Sequence, residues 1–407
     1  MTEGSAAQPI PPGKRRFVVI ASIGVAQILV WGSSYYLLAV LAGPIARETG
    51  WPGTWIIGAF SLGLLTSGLI SPRVGHLIER FGGRPILAAS AVLLAIGLLM
   101  QAIAPDLPVF VAAWLIIGLA MGAGLYDPAF ATLGRLYGEH ARSAITHLTL
   151  FGGFASTVCW PLSAMFVERF GWRGASAAYA AIAVIVVLPL YLLGVPREEH
   201  RPVSTRQGAR FGTAATSRRT GDRVAFVILA AGLTVASVIM TVMSVHLLVL
   251  LQTRGLTLAT AVGLGALIGP AQVGARVLEA AFGRRQHPVW SLLIATVAVA
   301  VGLCMLLGPS SIMGAGLVLY GSGSGIRSIA RGTVPLALFG REGYAVLLGW
   351  LAMPILIAQA ASPLLGSLLM EHLGPSLTIV ALVGTAVFNI LLVLPLVPLA
   401  LRRSAVA

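Results

Sequence analysis

Charge is scarce in this sequence. Of 407 residues only 10% are Asp, Glu, Lys or Arg, while 57% are hydrophobic, and the mean hydropathy is +0.92. A soluble domain carries roughly 25% charged residues, so this chain has too few to cover a water-facing surface. Cysteine is scarce as well. Cys159 and Cys304 both lie in apolar stretches, and their number and spacing exclude a disulfide framework or a zinc site. They read as small buried hydrophobes. A histidine-rich metal cluster, a nucleophile elbow and a phosphate-binding loop are all missing. Neither an enzyme nor a bound cofactor or metal is expected. A re-entrant filter or a ring of charge, which a selective channel needs, is missing too.

Long apolar runs are what the sequence does have. A membrane-spanning helix needs about 20 apolar residues. Such runs predict helices at 17–41, 53–73, 86–104, 108–134, 144–167, 174–194, 224–252, 257–280, 288–308, 312–336, 344–370 and 376–401. Glycine and proline recur inside them, as membrane helices tolerate. The first sixteen residues are polar and end in Lys14, Arg15 and Arg16. No short apolar core with a small-residue cleavage site follows, so the first span is expected to be permanent.

Basic residues are distributed unevenly between the loops. With the N-terminus placed in the cytoplasm, 23 of the 27 Lys and Arg fall on the cytoplasmic side, leaving Arg47, Arg169, Arg173 and Arg254 opposite. This positive-inside bias predicts a multi-pass inner-membrane protein with an even number of spans and both termini cytoplasmic. The formal net charge of +14 is spread from loop to loop and makes no single basic face, so nucleic acid is not an expected partner. The one long polar stretch between spans, 195–223, is rich in Arg, Gly, Ser and Thr and reads as a flexible cytoplasmic linker. The expected organisation is a tail at 1–16, a six-helix bundle at 17–194, the linker, a second six-helix bundle at 224–401 and a tail at 402–407.

The two halves repeat one another. After spans 2, 5, 8 and 11 a bulky apolar residue precedes glycine: Phe81-Gly82, Phe170-Gly171, Phe282-Gly283 and Leu373-Gly374. Glycine there suits a left-handed helix end. Gly82 and Gly283 are 201 residues apart, and Gly171 and Gly374 are 203 apart. Leu136-Tyr137-Gly138 matches Leu338-Phe339-Gly340 at 202, and Ser34–Leu38 matches Ser244–Leu248 at 210. Nested three-helix units of this kind belong to secondary transporters that rock about a central site.

The loop after span 2 reads Gly75-His76-Leu77-Ile78-Glu79-Arg80-Phe81-Gly82-Gly83-Arg84. It resembles the G-x-L-x-D-R-x-G-R-R signature of the major facilitator superfamily. Glu79 stands for the aspartate, and Gly83 stands for an arginine. Gly118, Gly122, Gly124 and Pro128 in span 4, followed by Arg142, resemble the family's glycine-rich fourth helix. The resemblance implies an all-α membrane fold of twelve transmembrane helices in two pseudo-symmetric six-helix bundles. It also implies that Gly75, Glu79, Arg80, Gly82 and Arg84 form a latch between the halves. There the carboxylate meets a helix N-terminus of the other half and the arginines pair with acids. Arg276 in span 8 resembles the carboxylate-binding arginine of the monocarboxylate and oxalate/formate branch. The aspartate that branch often has four residues earlier is Gln272 here, and its basic residue in helix 1 is missing. The G-P-x-x-G-G run of drug/proton antiporters is missing from span 5.

Ionisable groups inside spans are costly and mark functional candidates. Arg276, Arg327, Arg331 and Asp127 qualify, with Glu279 placed to pair with Arg276 three residues away along the helix. The 202-residue offset puts Asp127 between Arg327 and Arg331 in depth. Trp31, Tyr35 and Tyr36 can supply an aromatic wall in span 1. His246 in span 7, matched by the repeat to Tyr36, is a candidate for the coupling proton together with Asp127. Substrate contacts are therefore expected from Arg276, Arg327, Tyr35, Tyr36, Trp31, Asp127 and His246. The expected activity is alternating-access transport of a small organic anion, a carboxylate, coupled to protons. Efflux of drugs or other amphipathic compounds is the alternative. The expected partners are that anion, protons and the lipid bilayer, with the protein a monomer.

Overall fold

The computed structural model describes residues 13–198, 220–283 and 286–404. Most of the 195–223 linker lies outside the described residues. Spans 2, 3, 7, 9 and 10 are the helices Gly53–Phe81, Gly83–Ile103, Thr220–Gln252, Pro288–Met305 and Ser310–Phe339. Spans 1, 4 and 8 are each interrupted once: Gly13–Gly32 with Leu38–Thr49, Leu107–Gly124 with Tyr126–Tyr137, and Leu258–Gly265 with Ile268–Phe282. Spans 5 and 6 form one stretch, 141–194, that turns at Gly171, and spans 11 and 12 form another, 344–404, that turns at Gly374. Among the described residues, nine stretches are long and apolar enough to cross a membrane. Dividing the two turned ones gives eleven. Ser310–Phe339, which carries Arg327 and Arg331, is the twelfth.

Glycine makes the tight connections. Gly82, Gly171 and Gly374 adopt φ of 81°, 68° and 77° with extended ψ of 168°, 177° and 164°, a region only glycine enters without strain. Gly138 and Gly340, matched by the repeat, also share positive φ, at 54° and 77°. Gly283 departs from the expectation: its φ is −66°, and span 8 ends without a left-handed residue there.

The first span is longer and less regular than expected. Its helix continues to Thr49, so Arg47 lies in its last turn, and residues 33–37 leave the helix. The serine hydroxyls explain this break. Ser33 donates to the Leu29 carbonyl at 2.7 Å and Ser34 to Val30 at 2.6 Å, which loosens the backbone ladder. The Tyr36 amide then reaches five residues back, to Trp31, at 3.0 Å. Span 4 breaks at Leu125, which is extended at φ −79°, ψ −159°. Pro128 supplies no amide proton to the ladder. The Gly124 carbonyl exposed by the break accepts from Gln27 Nε2 at 2.6 Å.

The two halves meet at the end of the bundle that carries both termini, here called the terminal face. Spans 2 and 11 approach backbone to backbone there. A Cβ on Gly75 would lie 2.5 Å from the Ala345 carbonyl oxygen, one on Gly68 3.1 Å from that of Met353, and one on Gly349 would strike that of Ser71. Small residues allow such close approach. Tyr344 of span 11 is buried against Gly134 of span 4 and donates to the Gly332 carbonyl at 2.5 Å. One hydrophobic core therefore joins the first bundle to the terminal-face ends of the second, from Ala225 and Val289 to Ala330 and Tyr344. A separate, smaller core, from Ile239 through Leu303 to Leu382, fills the distal part of the second bundle. The halves are fused at the terminal face, and the distal core of the second bundle stands apart from that joint core.

Candidate functional site

The breaks in spans 1 and 4 turn an aromatic cluster toward the middle of the bundle. Trp31 packs against Tyr35, Tyr36 and Tyr126 at centroid separations of 5.1, 5.9 and 5.0 Å. Tyr35 continues to Phe60 at 5.4 Å and Tyr36 to Trp160 at 6.3 Å. The Trp31 indole is fixed by donating to Gln27 Oε1 at 3.0 Å. Trp31, Tyr35 and Tyr36 are half-buried, so their rings retain accessible surface.

Opposite this wall, the second half contributes arginines. Arg276 is 6% exposed, and its Nη1 donates to the Thr149 carbonyl of span 5 at 2.9 Å. Its Nε makes a longer contact, 3.4 Å, with the Gly325 carbonyl of span 10. Arg327 is 8% exposed, and its Nη2 lies 2.8 Å from the Met240 sulfur. Tyr36 and Tyr126 are within electrostatic reach of Arg276. Tyr35, beside Thr241, is within reach of Arg327 and Arg331.

Arg331 meets Asp127 across the halves in a two-pronged ion pair, Nε–Oδ1 at 2.8 Å and Nη2–Oδ2 at 2.6 Å, with side chains 13% and 14% exposed. Asp127 thus selects Arg331, while among the described residues Arg276 and Arg327 have no acidic partner. Glu279 does not pair with Arg276. It accepts from Ser291 Oγ at 2.6 Å and lies 3.9 Å from Arg142. Arg276 instead turns toward the carbonyls of spans 5 and 10, which engage two of its five donors. The site therefore holds three guanidiniums against one carboxylate, a surplus that attracts an anion.

The signature residues near the terminal face form a network within the first half. Glu79 pairs with Arg135 at 3.2 Å, and Arg135 pairs with Glu198 at 2.8 Å. Glu198 also accepts from the Gly83 amide, at 3.2 Å. Arg80 lies over the neighbouring Phe81 ring, and Arg84 makes no ion pair among the described residues. Gly75 and Gly82 act as a close approach and a turn. Of the five, Gly75 is the one that packs directly on the other half among the described residues. Across the pseudo-symmetric interface, Arg142 of span 5 donates to the Gly283 and Gln286 carbonyls at the end of span 8, at 2.5 and 2.7 Å. His246 lies within the second half, its Nε2 3.2 Å from the Pro363 carbonyl and its ring against Gly366.

Arg135, Glu198, Gln27, Tyr126 and Met240 were not singled out from the sequence. Gln27 had a readable signal, as an amide deep in an apolar span. Glu198 had none, being one acid in a polar stretch.

The chain matches the Major Facilitator Superfamily over residues 23–326. It is 30% identical over 160 residues to human Monocarboxylate transporter 11, covering 37% of this chain and 32% of that one. With bovine Monocarboxylate transporter 13 it is 29% identical over 187 residues, covering 44% and 42%. The matched stretch spans less than half the length of either relative. In fold it resembles the human organic anion transporter MFSD10 (TETRAN), with a TM-score of 0.73, 17% identity and coverage of 94% and 100%. It also resembles the proton:xylose symporter XylE, with a TM-score of 0.72, 14% identity and coverage of 93% and 95%. The twelve spans, the paired halves and the match over most of the length agree: this chain belongs to the Major Facilitator Superfamily of membrane transporters.

Proposed function

We propose that this transporter carries a small organic anion, a carboxylate, by alternating access. The observation that carries the reading is the surplus of buried guanidinium over carboxylate between the halves, facing a wall of tyrosine and tryptophan. Arg276 is the proposed anchor. Its planar fork has five donors, two of them engaged by carbonyls, and the rest suit the parallel bonds of a carboxylate. Trp31, Tyr36 and Tyr126 receive the organic body, and Tyr35 and Arg327 extend the positive, aromatic lining. The similarity to stretches of monocarboxylate transporters supports this class of cargo.

Asp127 and Arg331 form the proposed gate. Opening the terminal face must part them, and protonating Asp127 removes the attraction, which would couple a proton to the movement. His246 is the second candidate for that proton. Gly75, Glu79, Arg80, Gly82 and Arg84 are proposed to hold the terminal face closed, with Glu79 acting through Arg135. The basic bias of the loops supports a cytoplasmic position for that face and for both termini, with the chain in the plasma membrane.

The test is uptake of labelled monocarboxylates into proteoliposomes. Arg276→Ala should lower uptake by roughly a hundredfold, the scale of losing a charge-assisted pair, at unchanged folded yield. Normal uptake in that variant removes Arg276 as the anchor. The aromatic wall also favours flat amphipathic compounds. If such drugs raise the unfolding temperature and carboxylates do not, the efflux reading replaces this one.

A further inference from the structure

One side chain of the first bundle serves two broken helices. Gln27 of span 1 is fully buried. Its Nε2 donates to the Gly124 carbonyl of span 4 at 2.6 Å, and its Oε1 accepts from the Trp31 indole at 3.0 Å. The first bond answers a specific need. In a regular helix the Gly124 carbonyl would accept from the amide of residue 128, but that residue is Pro128, which has no amide proton. The chain turns aside at Leu125, and Gln27 supplies the donor from another helix. A bare carbonyl is costly at membrane depth, so the break in span 4 and the residue at 27 belong together.

Each end of this amide holds a part of the site. Trp31 packs on Tyr35, Tyr36 and Tyr126, the wall proposed to receive the cargo. On the other side, Gly124 is followed across the break by the helix Tyr126–Tyr137. Tyr126 stacks on Phe130 within that helix at 5.1 Å, and Asp127 pairs with Arg331 of the second half. The helix thus carries a ring of the wall and the carboxylate of the gate as one piece. The second half has a different arrangement. The 210-residue offset matches Gln27 with Ser237. Ser237 donates to Thr234 of its own helix at 2.8 Å and reaches Ile355 of span 11 at 3.4 Å. Its recorded bonds do not touch span 10, the counterpart of span 4.

We infer that Gln27 is a positioning residue that ties the aromatic wall to the gate, so that the orientation of Trp31 and the state of Asp127 change together. The inference rests on the proposed roles of the wall and of the Asp127–Arg331 pair, and it adds the link between them. When the gate parts, the helix Tyr126–Tyr137 moves about the break at Leu125. The Gly124 carbonyl then draws on the Gln27 amide, and the Trp31 indole follows its acceptor. A cargo that turns Trp31 pulls on the same amide in the opposite sense.

The experiment is magnetic resonance of the purified full-length protein with isotope-labelled tryptophan indoles. The Trp31 signal is identified by its loss in Trp31→Phe. Asp127→Asn should displace the Trp31 N–H signal in the parent protein and leave it in place in a Gln27→Leu background. Gln27→Leu also strips the Gly124 carbonyl of its donor, so a further variant separates support from linkage. Adding Pro128→Ala returns a backbone amide four residues after Gly124. The unfolding temperature should then recover, and the response of Trp31 should not. A Trp31 signal indifferent to Asp127→Asn in the parent overturns the inference. A displacement that persists with Gln27→Leu does so too, since the Trp31–Tyr126 contact then carries the link. A response restored by Pro128→Ala reduces Gln27 to a prop for the backbone and also overturns it. No cargo is present in this measurement, so the carboxylate reading can fail in uptake while this one stands, and the reverse.

Discussion

The two halves share a plan and differ in how they treat their interiors. The first half breaks two of its helices: span 1 at 33–37 and span 4 at Leu125. The backbone carbonyls at these breaks are met by neutral side chains, those of Ser33, Ser34 and Gln27. The second half keeps the counterparts whole, as Thr220–Gln252 and Ser310–Phe339, and puts arginines on or beside them. One half thus offers rings and irregular backbone, and the other offers fixed charge. A cargo with an apolar body and an anionic head has a surface to match in each half and binds best when the halves approach. Such differential contact is what an alternating mechanism requires.

The sharpest way to break the comparison is at Asp127–Arg331, the shorter of the two ion pairs that join the halves among the described residues. Asp127→Asn or Arg331→Gln should each abolish transport and cost about 3 kcal/mol, because a buried ion loses its partner. The double variant should recover most of the stability and none of the transport. Proteoliposome uptake and unfolding temperature measure the two separately. If the single variants transport normally, the gate lies elsewhere.

The next largest effect is expected at the glycine seam. Gly75→Ala puts a methyl group 2.5 Å from the Ala345 carbonyl, and overpacking of this kind costs about 1–3 kcal/mol. The closed terminal face should lose population by roughly five- to a hundredfold. Cysteines introduced on that face should then label faster, and unchanged labelling rates would show that the seam does not hold the closure.

Gln27→Leu tests the first half alone. It removes two buried hydrogen bonds and leaves the Gly124 carbonyl bare, for about 2 kcal/mol. The distal core of the second half, from Ile239 to Leu382, should keep its hydrogen-exchange protection. Equal loss in both halves would show that they do not respond independently.

The smallest effect is a pH response on the second half's side of the terminal face. Burial, and then the nearby Arg142, hold His287 below its ordinary value, and its Nδ1 accepts from the Val289 amide at 3.3 Å. The group is therefore neutral when folded. Its contribution is present above the ordinary histidine range near pH 6.5 and is lost as pH falls through the depressed value. With His287 only partly buried, the loss should be no more than about 0.5 kcal/mol. His287→Asn should flatten that part of the stability profile, and an unaltered profile removes the assignment.

Much of this architecture was readable from composition and repetition. The apolar runs give twelve spans because a bilayer fixes their length. The glycines at 82, 171 and 374 were legible because no other residue holds their backbone angles. The breaks in spans 1 and 4 were not: polarity rises at 32–36 and at 126–128, but a few polar residues inside a span read equally well as a continuous helix with polar side chains turned inward. The site was legible in its residue types and less so in its pairings. Asp127 and Arg331 lie at compatible depths, but so do Asp127 and Arg327, and only packing chooses between them. Arg276 and Glu279 have ideal helical spacing, yet carbonyls of two other spans compete for the arginine.

Glu198 belongs to the first residues after span 6, and it closes a loop of charge with Arg135 and the start of span 3. The connecting segment between the halves is thus moored at its beginning. A gene cut in two for separate expression of the halves would behave differently on either side of that mooring. A cut beyond residue 198 leaves the first fragment with its own counter-charge, able to mature without its sibling. A cut before it strands Arg135 between one acid and an empty place, so that assembly in trans depends on the second fragment bringing the missing carboxylate back.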